Sequence, residues 1–85
     1  MVLSKSIALG KEMVKNGERD AQTVIDAMTK CISAEPLAKI DYVSVVDALS
    51  ITPIEKYSGY VLTAIAVYIG KTRLIDNFIV DIDTL

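Results

Sequence analysis

The 85 residues carry 9 Lys and Arg against 11 Asp and Glu, a net charge of −2, with 52% apolar and 24% charged side chains. This is the composition of one folded domain, expected to span residues 1–85 and to hide roughly 60–65% of its unfolded surface; it excludes a disordered tail. With no basic stripe to neutralise a phosphate backbone, no nucleic acid is expected as a partner. The longest apolar run, Val61 to Ile69, falls far short of the ~20 residues of a membrane helix, so no membrane is expected either. The opening MVLSKSIALG lacks the layout of a signal peptide, and Cys31, being alone, cannot close an internal disulfide. A cytoplasmic location is the resulting expectation. The chain contains no His, which removes the commonest general acid–base, the His-dependent nucleophile systems and any ordinary zinc site.

In chain order, the spacing predicts a helix from Val2 to Asn16, with Leu3, Ile7, Gly10 and Val14 on one stripe. Gly17 supplies a stop. Glu18 and Arg19 read as exposed charge at the turn, and Asp20 as the N-cap of a second helix. That helix carries Ala21, Val24, Ile25, Met28, Cys31 and Ile32 at three- and four-residue steps, so Cys31 is expected to be a buried, inert thiol. Pro36 ends the element. The period then changes. Ile40 to Asp47 alternates and is rich in β-branched residues, which predicts a strand. Ala48 to Gly59 reads as a loop, Tyr60 to Ile69 as a second strand and Thr72 to Ile82 as a third, with Gly70-Lys71 as a tight hairpin turn. The expected fold is therefore α+β, a helical hairpin packed on a small three-stranded antiparallel sheet (α-α-β-β-β). On the second strand Ala64 and Ala66 share a face with Tyr60, Leu62 and Tyr68. Small residues permit close approach, so that face is expected to meet the helices. The face bearing Val61, Ile65, Val67 and Ile69 then needs cover from the loop, a second copy or another domain.

Gly70-Lys71-Thr72 matches the end of a phosphate-binding loop. The first glycine of such a loop would stand at position 65, which is Ile65, and the residues after Thr72 are β-patterned rather than helical. It reads as a turn. Leu3 to Ser6, LSKS, mimics the end of a nucleotidyltransferase loop but lies within helical periodicity. Asp76, Asp81 and Asp83 alternate across a strand and do not converge as metal ligands do, so no metal site is assigned. Tyr42, Tyr57, Tyr60 and Tyr68 lack the interleaved basic residues of a base-stacking platform and read as core and rim. Arg73 can hold an anion in its fork or pair across strands with an acid such as Asp81 or Asp47.

The blocks GERDAQ, AEPLAKIDYVSVVD and YVLTAIAVYIGKTRLIDN, in this order and spacing, resemble the C-terminal domain of the pantothenate synthetases (pantoate–β-alanine ligases). The resemblance covers nearly the whole chain, and Gly70 to Asn77 matches a hairpin motif of that family. It implies an enzyme that joins pantoate to β-alanine in pantothenate biosynthesis through a pantoyl-adenylate, using ATP and Mg²⁺. Its catalytic groups, paired histidines included, would lie in an N-terminal Rossmann-like domain that these residues do not contain. The segment here would act as a hinged lid without catalysis of its own. No catalytic, cofactor-binding or metal-binding residue carries over. Lys71, Thr72 and Arg73 are the residues expected to face the cleft. The partners implied are the missing catalytic domain and, for an uncovered apolar face, a homo-oligomer. The competing expectations are a stand-alone interaction module pairing through a sheet edge and a small-ligand domain built on Gly70 to Arg73.

Overall fold

A computed structural model describes residues 2–85 and places two helices ahead of a three-stranded antiparallel sheet. Helix α1 is Val2–Lys15 and α2 is Ala21–Ser33. Strands β1 (Ala38–Asp47), β2 (Tyr60–Ile69) and β3 (Thr72–Asp81) lie in the order β1-β2-β3. The expected α+β class and element order are those observed. The ends shift by a residue or two, and Ile82, expected to end the third strand, instead opens a 3-10 turn, Ile82–Thr84.

Local chemistry explains the breaks. Asp20 adopts extended backbone and its carboxylate accepts from the Thr23 N–H, so it caps α2. At the end of α1, Arg19 is half-buried and Nη1 donates to the Val14 carbonyl at 2.6 Å. Arg19 was expected to be exposed charge; instead it joins the Gly17 N–H on a carbonyl in the last turn of the helix. At the hairpin, Ile69 pairs with Thr72 and only Gly70, at φ +61°, has left-handed backbone. A positive φ at the first turn residue alone is the pattern of a type II′ turn, whose twist suits the flanking strands.

The core lies between the helices and the face of β2 that carries Val61, Thr63, Ile65 and Val67, each fully buried. This reverses the expected orientation, in which the Ala64/Ala66 face met the helices. Valine and isoleucine remove more apolar surface from water than alanine does, at about 0.8 kcal/mol per methylene, and that gain decides which face turns inward. Ala66 is also fully buried, but on the opposite face, flanked in register by Tyr42 and Ile75. Gly10 shows how closely the layers approach: a Cβ there would stand 2.8 Å from Met28 Sδ on α2 and 3.1 Å from Phe78 Cε1 on β3.

The segment from Ala48 to Gly59 is irregular, as expected, yet it is tied down on both sides. The Ile54 N–H donates to the Val45 carbonyl and the Asp47 N–H to the Thr52 carbonyl, along the outer edge of β1. The Ala21 N–H donates to Glu55 and the Tyr57 N–H to Arg19, across to the turn between the helices. Ile54 and Tyr57 thereby join the core. The Tyr57 hydroxyl meets Thr63 Oγ1 at 2.6 Å in the buried layer. Helices and loop together close the face expected to be open, and the open face is its reverse.

Two substitutions probe this layer. Gly10→Val overfills the contact with Met28 and Phe78 and should cost roughly 1–3 kcal/mol in urea denaturation. Tyr57→Phe leaves the Thr63 hydroxyl buried without its partner and should cost about 1–2 kcal/mol, whereas adding Thr63→Val should recover most of that loss. A double variant as unstable as the two single costs added together would show that the hydrogen bond is not what couples them.

Candidate functional site

The sequence directs attention to the turn at Gly70, and a bulge in β1 shapes what surrounds it. Pairing with β2 runs regularly until the register shifts between Ile40 and Tyr42, which places Asp41 as the extra residue. Arg73, opposite Tyr68 in the register, donates from Nε (3.2 Å) and Nη2 (2.9 Å) to the same Asp41 oxygen, Oδ2. The ion pair thus reaches from β3 to β1 across the middle strand. Its partner is neither Asp81 nor Asp47, the acids expected from strand alternation, because the inserted residue changes the phase of β1. The Asp41 hydrogen bond raises Arg73 further above its already high range. Both side chains are about two-fifths exposed, so the pair orients the guanidinium more than it stabilises the fold. Lys71 and Thr72 are exposed beside it. Lys39, Ile40, Asp41, Tyr68 and Gly70 line a shallow recess of about 380 Å³.

The open face of the sheet extends from this recess. Tyr42, Tyr60, Tyr68, Ile75 and Ile79 stand on it with 38–59% of their surface exposed. Alternation along the strands separates these residues correctly from the buried set, but which set meets solvent was misjudged. Of the tyrosines expected as core and rim, only Tyr57 enters the core. Cys31 is half-buried rather than buried, beside Val2, Lys5, Ala34 and Glu35.

At the far end of the sheet, Asp47 Oδ1 accepts from the Leu49 and Ser50 N–H groups, both at 2.9 Å. These bonds hold its carboxyl below the usual range. They also brace Ile51, which has φ +57° despite its branched Cβ. The acids near the C-terminus do not gather: Asp76 accepts from the Asn77 N–H and Asp81 caps the 3-10 turn. Among the described residues no group of three or more His, Cys, Asp or Glu is placed to share an ion.

Comparison with known proteins now fixes the lineage. The family model for pantoate-beta-alanine ligase matches residues 1–79. The pantothenate synthetase of Clostridium acetobutylicum is 54% identical over 77 residues, which cover 91% of this chain and 27% of that enzyme. That of Heliobacterium modesticaldum is 49% identical over 82 residues, covering 96% and 29%. The crystal structure of pantothenate synthetase from Thermus thermophilus superposes with a TM-score of 0.81 at 22% identity, over 91% of this chain and 28% of that one. At that identity the superposition speaks for the fold alone. These matches make the chain a ligase domain by descent. It belongs to the pantoate–β-alanine ligase family, as the C-terminal portion of such an enzyme, and it spans less than a third of the length of these relatives. The stand-alone interaction module is not favoured. No helix among the described residues is long and apolar enough to cross a membrane.

The low carboxyl range of Asp47, and of Asp20 under its Thr23 hydrogen bonds, sets a pH dependence. Between the ordinary value of 3.8 and the lowered folded values, the unfolded chain binds more protons than the folded one, so stability rises with pH. It is fully present above the ordinary value and is lost as pH falls through the folded values. The urea midpoint should hold steady above the ordinary value and drop on acidification below it. Asp47→Asn retains an acceptor oxygen without the titration and should flatten the dependence; a slope equal to that of the wild type would rule out Asp47 as a source.

Proposed function

We propose that this chain is the lid of a cytoplasmic pantoate–β-alanine ligase. In that enzyme pantoate and β-alanine would be joined through a pantoyl-adenylate at the expense of ATP, and the reactive groups would lie in the larger part of the protein. The observation that carries this reading is family membership confined to a C-terminal stretch that has no histidine.

The residues present do not fit an ATP or Mg²⁺ site. Gly70-Lys71-Thr72 turns directly between paired strands, whereas phosphate cradling needs a loop that opens a helix. The acids near the C-terminus are spent on local turns. No chemical step is therefore assigned to this chain. Its contribution is positional: closing over the cleft excludes water from an acyl-adenylate that water would hydrolyse. In this reading the turn of Lys71, Thr72 and Arg73 reaches toward the cleft, with Asp41 holding the Arg73 guanidinium in one orientation.

Two measurements test it. Titration of the free chain with ATP, AMP or pantoate should give no binding heat. In a chimera where the chain replaces the matching C-terminal stretch of the Clostridium acetobutylicum enzyme, pantothenate and AMP should form in nearly equal amounts, whereas deleting the chain should leave AMP in excess as adenylate is lost to water. Turnover of ATP by the free chain, or an unchanged ratio after deletion, would remove the lid from consideration.

A further inference from the structure

The two edges of the sheet differ. Along β1 the outer edge carries the inserted residue Asp41 and is tied to the Ala48–Gly59 segment by the Ile54–Val45 and Asp47–Thr52 bonds. Bulges and covering loops both keep an edge from pairing with another chain. β3 has neither: its pairing with β2 runs without a shift from Thr72 to Asp81. The pair that flanks a two-residue turn is hydrogen-bonded, and bonded pairs then alternate with non-bonded ones. Thr72, Leu74, Asp76, Phe78 and Val80 therefore spend their backbone groups on β2. Those of Arg73, Ile75, Asn77, Ile79 and Asp81 point away from the sheet. Among the described residues a single side chain occupies one of these outward N–H groups. Asp76 Oδ1 accepts from Asn77 at 2.8 Å, in the middle of the strand.

The edge that Asp76 interrupts is otherwise suited to pair with itself. A twofold axis through Asn77 would lay a second β3 alongside, antiparallel. Arg73 would then stand opposite Asp81 of the second copy and Ile75 opposite its Ile79, each pair occurring twice. Opposite charges and apolar pairs across strands both stabilise a ladder. Moving the axis one residue, to Asp76, would instead set two carboxylates against each other and Arg73 against Ile79. Ile75 and Ile79 are 57% and 59% exposed, so pairing would also take apolar surface out of water.

We propose that Asp76 is an edge guard: its carboxylate holds the Asn77 N–H and so keeps β3 from pairing with β3 of a second copy of this chain. Two effects combine. In the self-complementary register the Asn77 N–H would donate to the Asn77 carbonyl of the second copy, and Asp76 competes for that central bond. The Asp76 side chain would also stand opposite Phe78 of the second copy, where pairing strips water from a carboxylate without supplying a partner. A charge set within an apolar strand is a known way to suppress edge association. The guard is independent of the lid reading, since it concerns only whether the domain stays single at this edge.

Amide exchange and sedimentation of the free chain test it. In the wild type the Asn77 N–H should exchange several-fold more slowly than those of Ile75 and Ile79. Asp76→Ala should sediment as a dimer at concentrations where the wild type is a monomer, with all three N–H groups slowing as concentration rises. Asp76→Asn keeps the acceptor oxygen and should stay monomeric. Adding Asn77→Pro to Asp76→Ala removes the outward N–H but no bond to β2, and should restore the monomer. Adding Arg73→Glu instead sets an acid opposite Asp81 and should weaken the dimer. A monomeric Asp76→Ala variant would overturn the guard, as would a dimeric Asp76→Asn variant. A wild-type dimer with Ile75 and Ile79 already protected would do so too, because the edge would then pair with Asp76 in place. Equal wild-type exchange at the three positions would also overturn it, and that comparison stands even where Asp76→Ala fails to fold.

Discussion

The structure depends on one burial event: the valine and isoleucine face of β2 turned against the helices, with Thr63 in its middle. A hydroxyl buried there without a partner would cost about 1–3 kcal/mol. Tyr57 supplies that partner from the irregular segment. That hydrogen bond and the backbone bonds from Ile54 to Val45 and from Ala21 to Glu55 together hold Ala48–Gly59 against the layer. The segment acts as a third covering element although it has no regular secondary structure. Burial of the phenol also pushes the Tyr57 ionisation upward, as expected where water is kept out.

Turning that face inward leaves the other one outward and determines its properties. Small residues on the middle strand, Ala64 and Ala66, would leave a furrow if their neighbours were small too. Instead Tyr42 and Ile75 flank Ala66 in register and cover it completely. At that row the outer surface presents broad side chains over a small residue of the middle strand. A bulge at Asp41 adds one residue to β1 and lets a carboxylate reach Arg73 across Tyr68. The outer surface thus has tyrosine and isoleucine to either side of the polar Ser44 and Asn77 that flank Ala64, and is ionic at the hairpin end.

Local signals in the sequence were sufficient for the skeleton. Asp20 before an apolar stripe, Gly70 between two alternating runs and Pro36 after a helix each act within a few residues, and each produced the element it announces. The motif around Thr72 to Asn77 likewise carried the family. What the sequence could not convey depended on competition between distant surfaces. Alternation separates the two faces of β2 but does not rank them; ranking requires comparing the area that valines and alanines bury against the same helices. The Arg73 partner was missed for a related reason. A bulge is a pairing irregularity, and nothing in Lys39-Ile40-Asp41-Tyr42 marks which residue is extra. Arg19 was missed because its carbonyl acceptor is created only once α1 ends.

The scarcity of chemical groups in this domain has a physical rationale under the proposed function. A group that performs chemistry must be held within about 0.5 Å of its productive position. A body that hinges over a cleft has to recover that accuracy at every closure, through an interface small enough to reopen. Excluding water demands much less, since a broad surface blocks solvent even if it lands with some error. A platform of tyrosines and isoleucines on a rigid three-stranded sheet meets the looser requirement. The Arg73–Asp41 pair is consistent with that division: an unpaired guanidinium beside the cleft would compete for the anions of the reaction, whereas one already engaged by a carboxylate contributes orientation with its charge largely balanced.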